Sequence, residues 1–167
     1  TCFNITADNI TLDGSGYSIN GDKGIGDYGV IAVGRTNVTV KNLNISNFSR
    51  GIRLEITNNS LIFNNTLINN LDNGIGLYQF GTGIKIINNK VSLNKDGLYI
   101  VANNNTIQDN TLDSNLLRGI FLEAVTTNTI KDNIILGSGG DGILIFGGYN
   151  NEISGGIVNG SLGHAIR

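Results

Sequence analysis

The chain has 167 residues, only 14% of them charged, and a formal net charge of −2. That length suits one domain, and the charge supplies neither a nucleic-acid-binding field nor a basic membrane face. Proline, methionine and tryptophan are absent, no apolar run is long enough to cross a membrane as a helix, and Cys2 is the single cysteine, so no disulfide can form within the chain.

Residues 1–28 read as an atypical first coil. Ile5, Ile10, Leu12 and Ile19 alternate with polar neighbours, and Asp13-Gly14-Ser15-Gly16 makes a tight turn. The Gly- and Asp-rich stretch 20–27 makes this coil longer than the others and is predicted to protrude as a loop. A plain surface loop is the first reading there, and a calcium or sugar site is the alternative.

From Gly29 onward one unit repeats. Gly29, Gly51, Gly74, Gly97, Gly119, Gly142 and finally Ala165 open copies spaced 22, 23, 23, 22, 23 and 23 residues apart. A fixed period in this range marks a repeat architecture. Inside each copy the apolar residues alternate with period two in short runs bounded by Asn, Gly, Asp and Ser, and no stretch keeps a period of 3.6. Abundant Ile, Val, Thr, Asn and Gly further disfavour helix.

Three short strands per copy, with corners too tight for a crossover helix, predict an all-β fold: a right-handed, single-stranded, three-sided parallel β-helix of about six coils. It forms one domain over 1–167, with 1–28 the first coil, 29–164 the regular coils and 165–167 the start of a further one. Coils stacked about 4.8 Å apart make a rod roughly 30 Å long. Ile52, Ile75, Leu98, Ile120 and Ile143 form one core ladder; Leu54, Leu77, Ile100, Leu122 and Ile145 form its neighbour. In the copy opened by Gly29, Val38, Leu43 and Ile45 point inward. A corner slot reads Lys41, Asn65, Asn89, Asn110, Asn133 and Gly155, whose Asn amides bridge coils and tolerate left-handed backbone.

The last residues, Ala165-Ile166-Arg167, restate the opening Gly51-Ile52-Arg53, and no charged cap is visible at either end. With Thr1 rather than Met at its start, the segment reads as a mature or excised part of a longer precursor, or as a unit whose ends stack on other copies. The end-coil residues Cys2, Phe3, Ile5, His164, Ile166 and Arg167 are therefore candidate assembly contacts, with a second copy or neighbouring domains as partner. For Cys2 alone, three readings stand: a buried thiol, a bond to a cysteine outside the chain, or a reactive thiol.

Further candidates follow from the outward slots of each copy. Tyr78, Tyr99, Phe121, Leu144 and Phe146 should form an exposed apolar strip, suited to a protein contact or to stacking on sugar rings. Asp109 and Asp132 occupy equivalent positions in adjacent coils, a spacing compatible with a carboxylate dyad or a calcium ion, although solvated corner residues would look the same. Asp72, Asp96 and Asp141, with Arg50 and Arg118, are expected to make a charged edge. Asn-x-Ser/Thr glycosylation sequons fall at Asn4, Asn9, Asn37, Asn44, Asn47, Asn58, Asn64, Asn104 and Asn159.

The opening NITADNITLDGSGYSI, followed by YGVIAV, NVTVKNLNISNFSRGIRL and NNTIQDNTL-type units, resembles the NosD-like parallel β-helix family. That family lies within the wider carbohydrate-binding and sugar-hydrolase group of β-helix repeats, and the resemblance extends to copies in secreted and cell-surface proteins of archaea and bacteria. It implies polysaccharide binding on the outward aromatic side, and pairing of Cys2 with an upstream cysteine in an oxidising, extracellular setting. Copper delivery, attached to the family's name, does not carry over: with no Met, one Cys and one His, the chain lacks soft ligands. The clustered Asp of polygalacturonase-like enzymes and the Lys or Arg base beside a calcium cluster of pectate lyases are also missing. The expectation is an extracellular structural or assembly module of a surface layer, stalk, adhesin or filament, not an enzyme and with no required cofactor. A polysaccharide-binding or polysaccharide-degrading domain is the alternative.

Overall fold

A computed structural model describes all of residues 1–167. The chain winds into a parallel β-solenoid with no helix, each turn adding one strand to each of three sheets. Every sheet has seven strands, so there are seven turns rather than six. The difference lies in residues 1–27, whose strands Phe3–Ile5, Thr11–Asp13 and Ser18–Asn20 pair in full register with the next turn. The figure of about six counts the regular copies alone, and the first coil over 1–28 makes the seventh.

The first sheet carries the longest strands, among them Arg50–Glu55, Asn73–Tyr78, Asp96–Ile100 and Arg118–Thr126. In-register pairing stacks Ile52 on Ile75, Leu98, Ile120 and Ile143, and Leu54 on Leu77, Ile100, Leu122 and Ile145. All but Ile145 are buried, and they anchor a continuous cluster of 28 core residues that includes Val38, Leu43 and Ile45. At about 25 cal/mol per Å² of apolar surface, these ladders supply the main driving force for folding.

Each opening glycine points inward, as does the residue after it: Gly51 and Ile52 are both buried, and so are Gly97 and Leu98. The strict alternation therefore fails at the glycine. A Cβ on Gly97 would lie 2.6 Å from the Gly119 carbonyl oxygen and 2.6 Å from the Leu112 side chain. The slot demands glycine for space, not for backbone freedom.

The asparagine corner divides its work between two residues. Asn64, Asn88, Asp109, Asp132 and Gly155 stack outside the bend with φ between 52° and 63°. Asn65, Asn89, Asn110 and Asn133 follow them and turn inward, nearly fully buried. Each inward Oδ1 accepts the backbone N–H one turn earlier, and each Nδ2 donates to strand carbonyls. Lys41 and Gly155 do not belong to that inward slot. Pairing of Lys41 with Phe63 places Leu43 beneath Asn65, and Gly156 follows Asn133. Two further ladders, Asn70–Asn94–Asn115 and Asn105–Asn128–Asn151, brace the other corners in the same way.

Asn20 ends the strand Ser18–Asn20, so the loop outside the sheets is 21–27, with Ile25 fully exposed. Its two aspartates take different partners. Asp22 accepts from the Gly24 N–H, and Asp27 takes the ammonium of Thr1.

Candidate functional site on the first sheet

Because Gly and the next residue both face inward, the residue before each glycine and the residue two after it both face outward. The first column reads Tyr28, Arg50, Asn73, Asp96, Arg118, Asp141 and His164; the second reads Ile31, Arg53, Gly76, Tyr99, Phe121 and Leu144. Arg50, Asn73, Asp96 and Arg118 of the first column and Tyr99 and Phe121 of the second line a groove of about 340 Å³, completed by Asp72, Tyr78 and Lys95.

Its floor is aromatic. The Tyr78 and Tyr99 rings meet edge-on with centroids 5.4 Å apart, and Tyr99 and Phe121 lie 5.3 Å apart. The expected open apolar strip is corrected here. Phe121 and Leu144 are buried, at 9% and 7% exposure, while Tyr78 and Tyr99 are half-buried and only Phe146 stands free at 66%. For Phe121 and Tyr78 the cause is a guanidinium cover. Arg118 lies 3.8 Å over the Phe121 ring and Arg53 lies 4.3 Å over Tyr78, a cation–π arrangement that strengthens as it is desolvated.

The expected charged edge forms the walls. Arg118 grips Asp96 in a bidentate pair at 2.7 and 3.0 Å, Arg50 and Lys95 share Asp72, and Arg53 takes Glu55. Burial pushes the Asp96 carboxyl upward, against the opposing pull of Arg118. Arg118→Ala strands a carboxylate that is only 3% exposed. A loss of about 3 kcal/mol is expected in denaturant titration, set against less than about 0.5 kcal/mol for Lys131→Ala, whose contact with Asp132 is exposed.

Tyr99 donates to Glu123, and Tyr78 donates to Asn73 at 2.5 Å. Burial, and then Glu123, push the Tyr99 phenol well above its ordinary range, and burial raises Tyr78 despite Arg50. Both hydroxyls therefore remain hydrogen-bond donors at any physiological pH. What strand alternation conceals is that aromatic column and charged edge are one site, since they share a face only through the inward glycine.

The family model described as a right-handed beta-helix region matches residues 2–158. The chain belongs to the right-handed β-helix family. A comparison with curated protein sequences finds no match. Among solved structures, this β-helix is similar to the periplasmic alginate epimerase AlgG at TM-score 0.69 and 17% identity, over 83% of this chain and 41% of that one. It is similar to the alginate lyase from Paenibacillus sp. str. FPU-7 at TM-score 0.69 and 16% identity, over 87% and 66%. The Azotobacter vinelandii mannuronan C-5 epimerase AlgE4 A-module aligns at TM-score 0.53 and 14% identity, over 98% and 59%. At these identities the likeness is one of fold, and the chain spans about two fifths of the first epimerase's length.

Elsewhere on the β-helix, Asp109 and Asp132 stand side by side because both fill the left-handed corner slot. Gln108 donates to Asp109, Lys131 lies 3.9 Å from Asp132, and no group of three His, Cys, Asp or Glu gathers anywhere in the chain. Of the sequon asparagines, Asn4, Asn9, Asn37, Asn64, Asn104 and Asn159 are exposed, while Asn44, Asn47 and Asn58 are half-buried. Asn9, Asn37, Asn47, Asn64 and Asn104 have left-handed backbone, so corner geometry already accounts for an Asn at those five positions.

At the ends, Cys2 is exposed, which removes the buried-thiol reading. Phe3 and Ile5 occupy the outermost strand, Ile166 bridges to Ile143, and His164 and Arg167 both reach Asp141, at 3.2 and 2.9 Å. The His164 backbone N–H, with the Arg167 guanidinium beside it, holds the Asp141 carboxyl below the usual carboxylate range. At the other end the Asn42 amide, Ser15 N–H and Lys41 hold Asp13 at about 2. Both shifts are downward, so the stability they contribute is present above the ordinary carboxylate value of about 4 and is lost as pH falls below it. The melting temperature should therefore drop between about pH 4 and pH 2, and Asp141→Asn should flatten that slope in thermal melts.

Proposed function

We propose that this chain is a glycan-binding β-helix module of an extracytoplasmic protein, with its site in the groove on the first sheet. The observation that carries the reading is the ladder Tyr78–Tyr99–Phe121. It runs along the solenoid axis between fixed ion pairs, so successive turns present similar chemistry to successive units of an extended polymer. That the structural neighbours are named as enzymes of alginate, and that the sequence resembles NosD-like repeats, supports the assignment. Binding without turnover is favoured because the carboxylates of the groove and its rim are all engaged: Asp72 and Asp96 with cations, Glu55 with Arg53, Glu123 with Tyr99.

In affinity electrophoresis through polysaccharide gels, retardation of the wild-type chain is expected. Tyr99→Ala should lose it with the far-ultraviolet spectrum retained, whereas Phe146→Ala, outside the groove lining, should keep it. A wild-type chain that no polysaccharide retards would defeat the reading.

A second reading, end-to-end stacking of copies, is supported by the apolar side chains near the two end turns: Phe3, Ile5, Ile10 and Leu12 at one, Ile145, Ile153, Val158 and Ile166 at the other. Residues 165–167 add a rung to the first sheet alone. A second copy laid with Thr1–Thr6 on that rung thus pairs through one sheet and leaves a rung empty in the other two. Filaments in negative-stain micrographs at working concentration would support stacking, and dispersed monomers would oppose it.

A further inference from the structure

We infer that the groove selects an uncharged glycan and rejects polyuronates such as alginate, the polymer named for the structural neighbours. This rests on the glycan-binding reading above and adds the class of sugar to it.

Arg50, Lys95 and Arg118 line the groove with Asp72 and Asp96, and Arg53, Glu55 and Glu123 stand at its rim, four cations and four carboxylates in all. Four against four leaves no net charge. Each guanidinium has a carboxylate partner within 3.0 Å, and Lys95 shares Asp72 with Arg50 at 3.5 Å. A polymer with one carboxylate per sugar would set its charges against a surface that carries its own anions on successive turns and whose cations each already contact a carboxylate.

Recruiting Arg118 to such a ligand would strand Asp96, whose side chain is 3% exposed, and an unpartnered buried carboxylate is heavily penalised. Recruiting Arg53 would uncover the Tyr78 ring. A neutral sugar meets neither obstacle. Carboxylate oxygens accept from its hydroxyls, guanidinium N–H groups donate, the Tyr hydroxyl oxygens offer further acceptors, and its C–H faces pack beside the half-buried Tyr99. Because the ion pairs are already formed, they are held in place before the ligand arrives, which lowers the ordering cost of binding.

The test is isothermal titration calorimetry of the intact chain with hexasaccharides of glucan, mannan and galactan against oligomannuronate and oligogalacturonate, at low and at high salt. At least one neutral series should bind, with an affinity that changes less than about twofold with salt, and the uronates should not bind. Uronate binding that weakens steeply with salt would overturn the selectivity while leaving glycan binding intact. Binding of neither class would overturn the glycan reading itself. In a second arm, Asp72→Asn with Glu123→Gln raises the groove's net charge by two. The folded double variant should acquire salt-sensitive uronate binding, and failure to acquire it would show that charge is not the determinant.

Discussion

Asn110→Ala is expected to destabilise the chain by about 4 kcal/mol, a fall in melting temperature of roughly 8–16 °C for a domain of this size. Asn110 is 1% exposed. Its Oδ1 accepts both the backbone N–H and the side-chain amide of Asn89, and its Nδ2 donates to the Ile86 carbonyl and to Asn133 Oδ1. Truncation leaves the Asn89 N–H without that acceptor and the Ile86 carbonyl without that donor, at a bend where water cannot enter. Each buried group so stranded costs about 1–3 kcal/mol, and the vacated volume adds to it.

Asp109→Asn, one residue earlier, is the matched control. That position is exposed and needs only tolerance of φ near 55°, which Asn shares, so its effect should stay within about 0.5 kcal/mol. Urea titration of the two variants checks the contrast. Equal effects would refute the division of the corner into an outer conformational residue and an inner bridging one.

The second large effect is expected at the opening glycines. Gly97→Ala should cost about 3 kcal/mol, and Gly97→Val should prevent folding, because two of the atoms the new Cβ meets lie at 2.6 Å and one is the Gly119 carbonyl oxygen. That oxygen belongs to the next turn, whose height is set by strand pairing on three sheets, so it cannot retreat without breaking a rung. Gly34→Ala distinguishes space from backbone conformation. Nothing lies within 4 Å of its Cβ position, but φ is +64°, so about 1 kcal/mol of left-handed strain is all that should appear in the melt. Ala165 continues the glycine column and is exposed.

The groove was partly legible in advance. Tyr78, Tyr99 and Phe121 could be placed outward by counting from each glycine, and Arg50, Asp72, Asp96 and Arg118 could be read as a charged edge. Their union could not be read, because alternation assigns the residue before a glycine and the residue two after it to opposite faces. The inward glycine reverses that assignment by pressing its Cα against the turn above. Nor could spacing show that Arg53 and Arg118 would fold over the rings, since that depends on how long side chains settle across columns from different turns.

What this sequence determined by itself is the solenoid: its period, its strand type, its core ladders and the glycine that opens each turn. Those follow from local alternation repeated at a fixed interval, and every copy carries the same signal. What the tertiary structure alone decided is the division of the asparagine corner and the character of the candidate site. Each of these depends on the register between residues about one period apart, and a slip of one residue there exchanges the buried face for the exposed one.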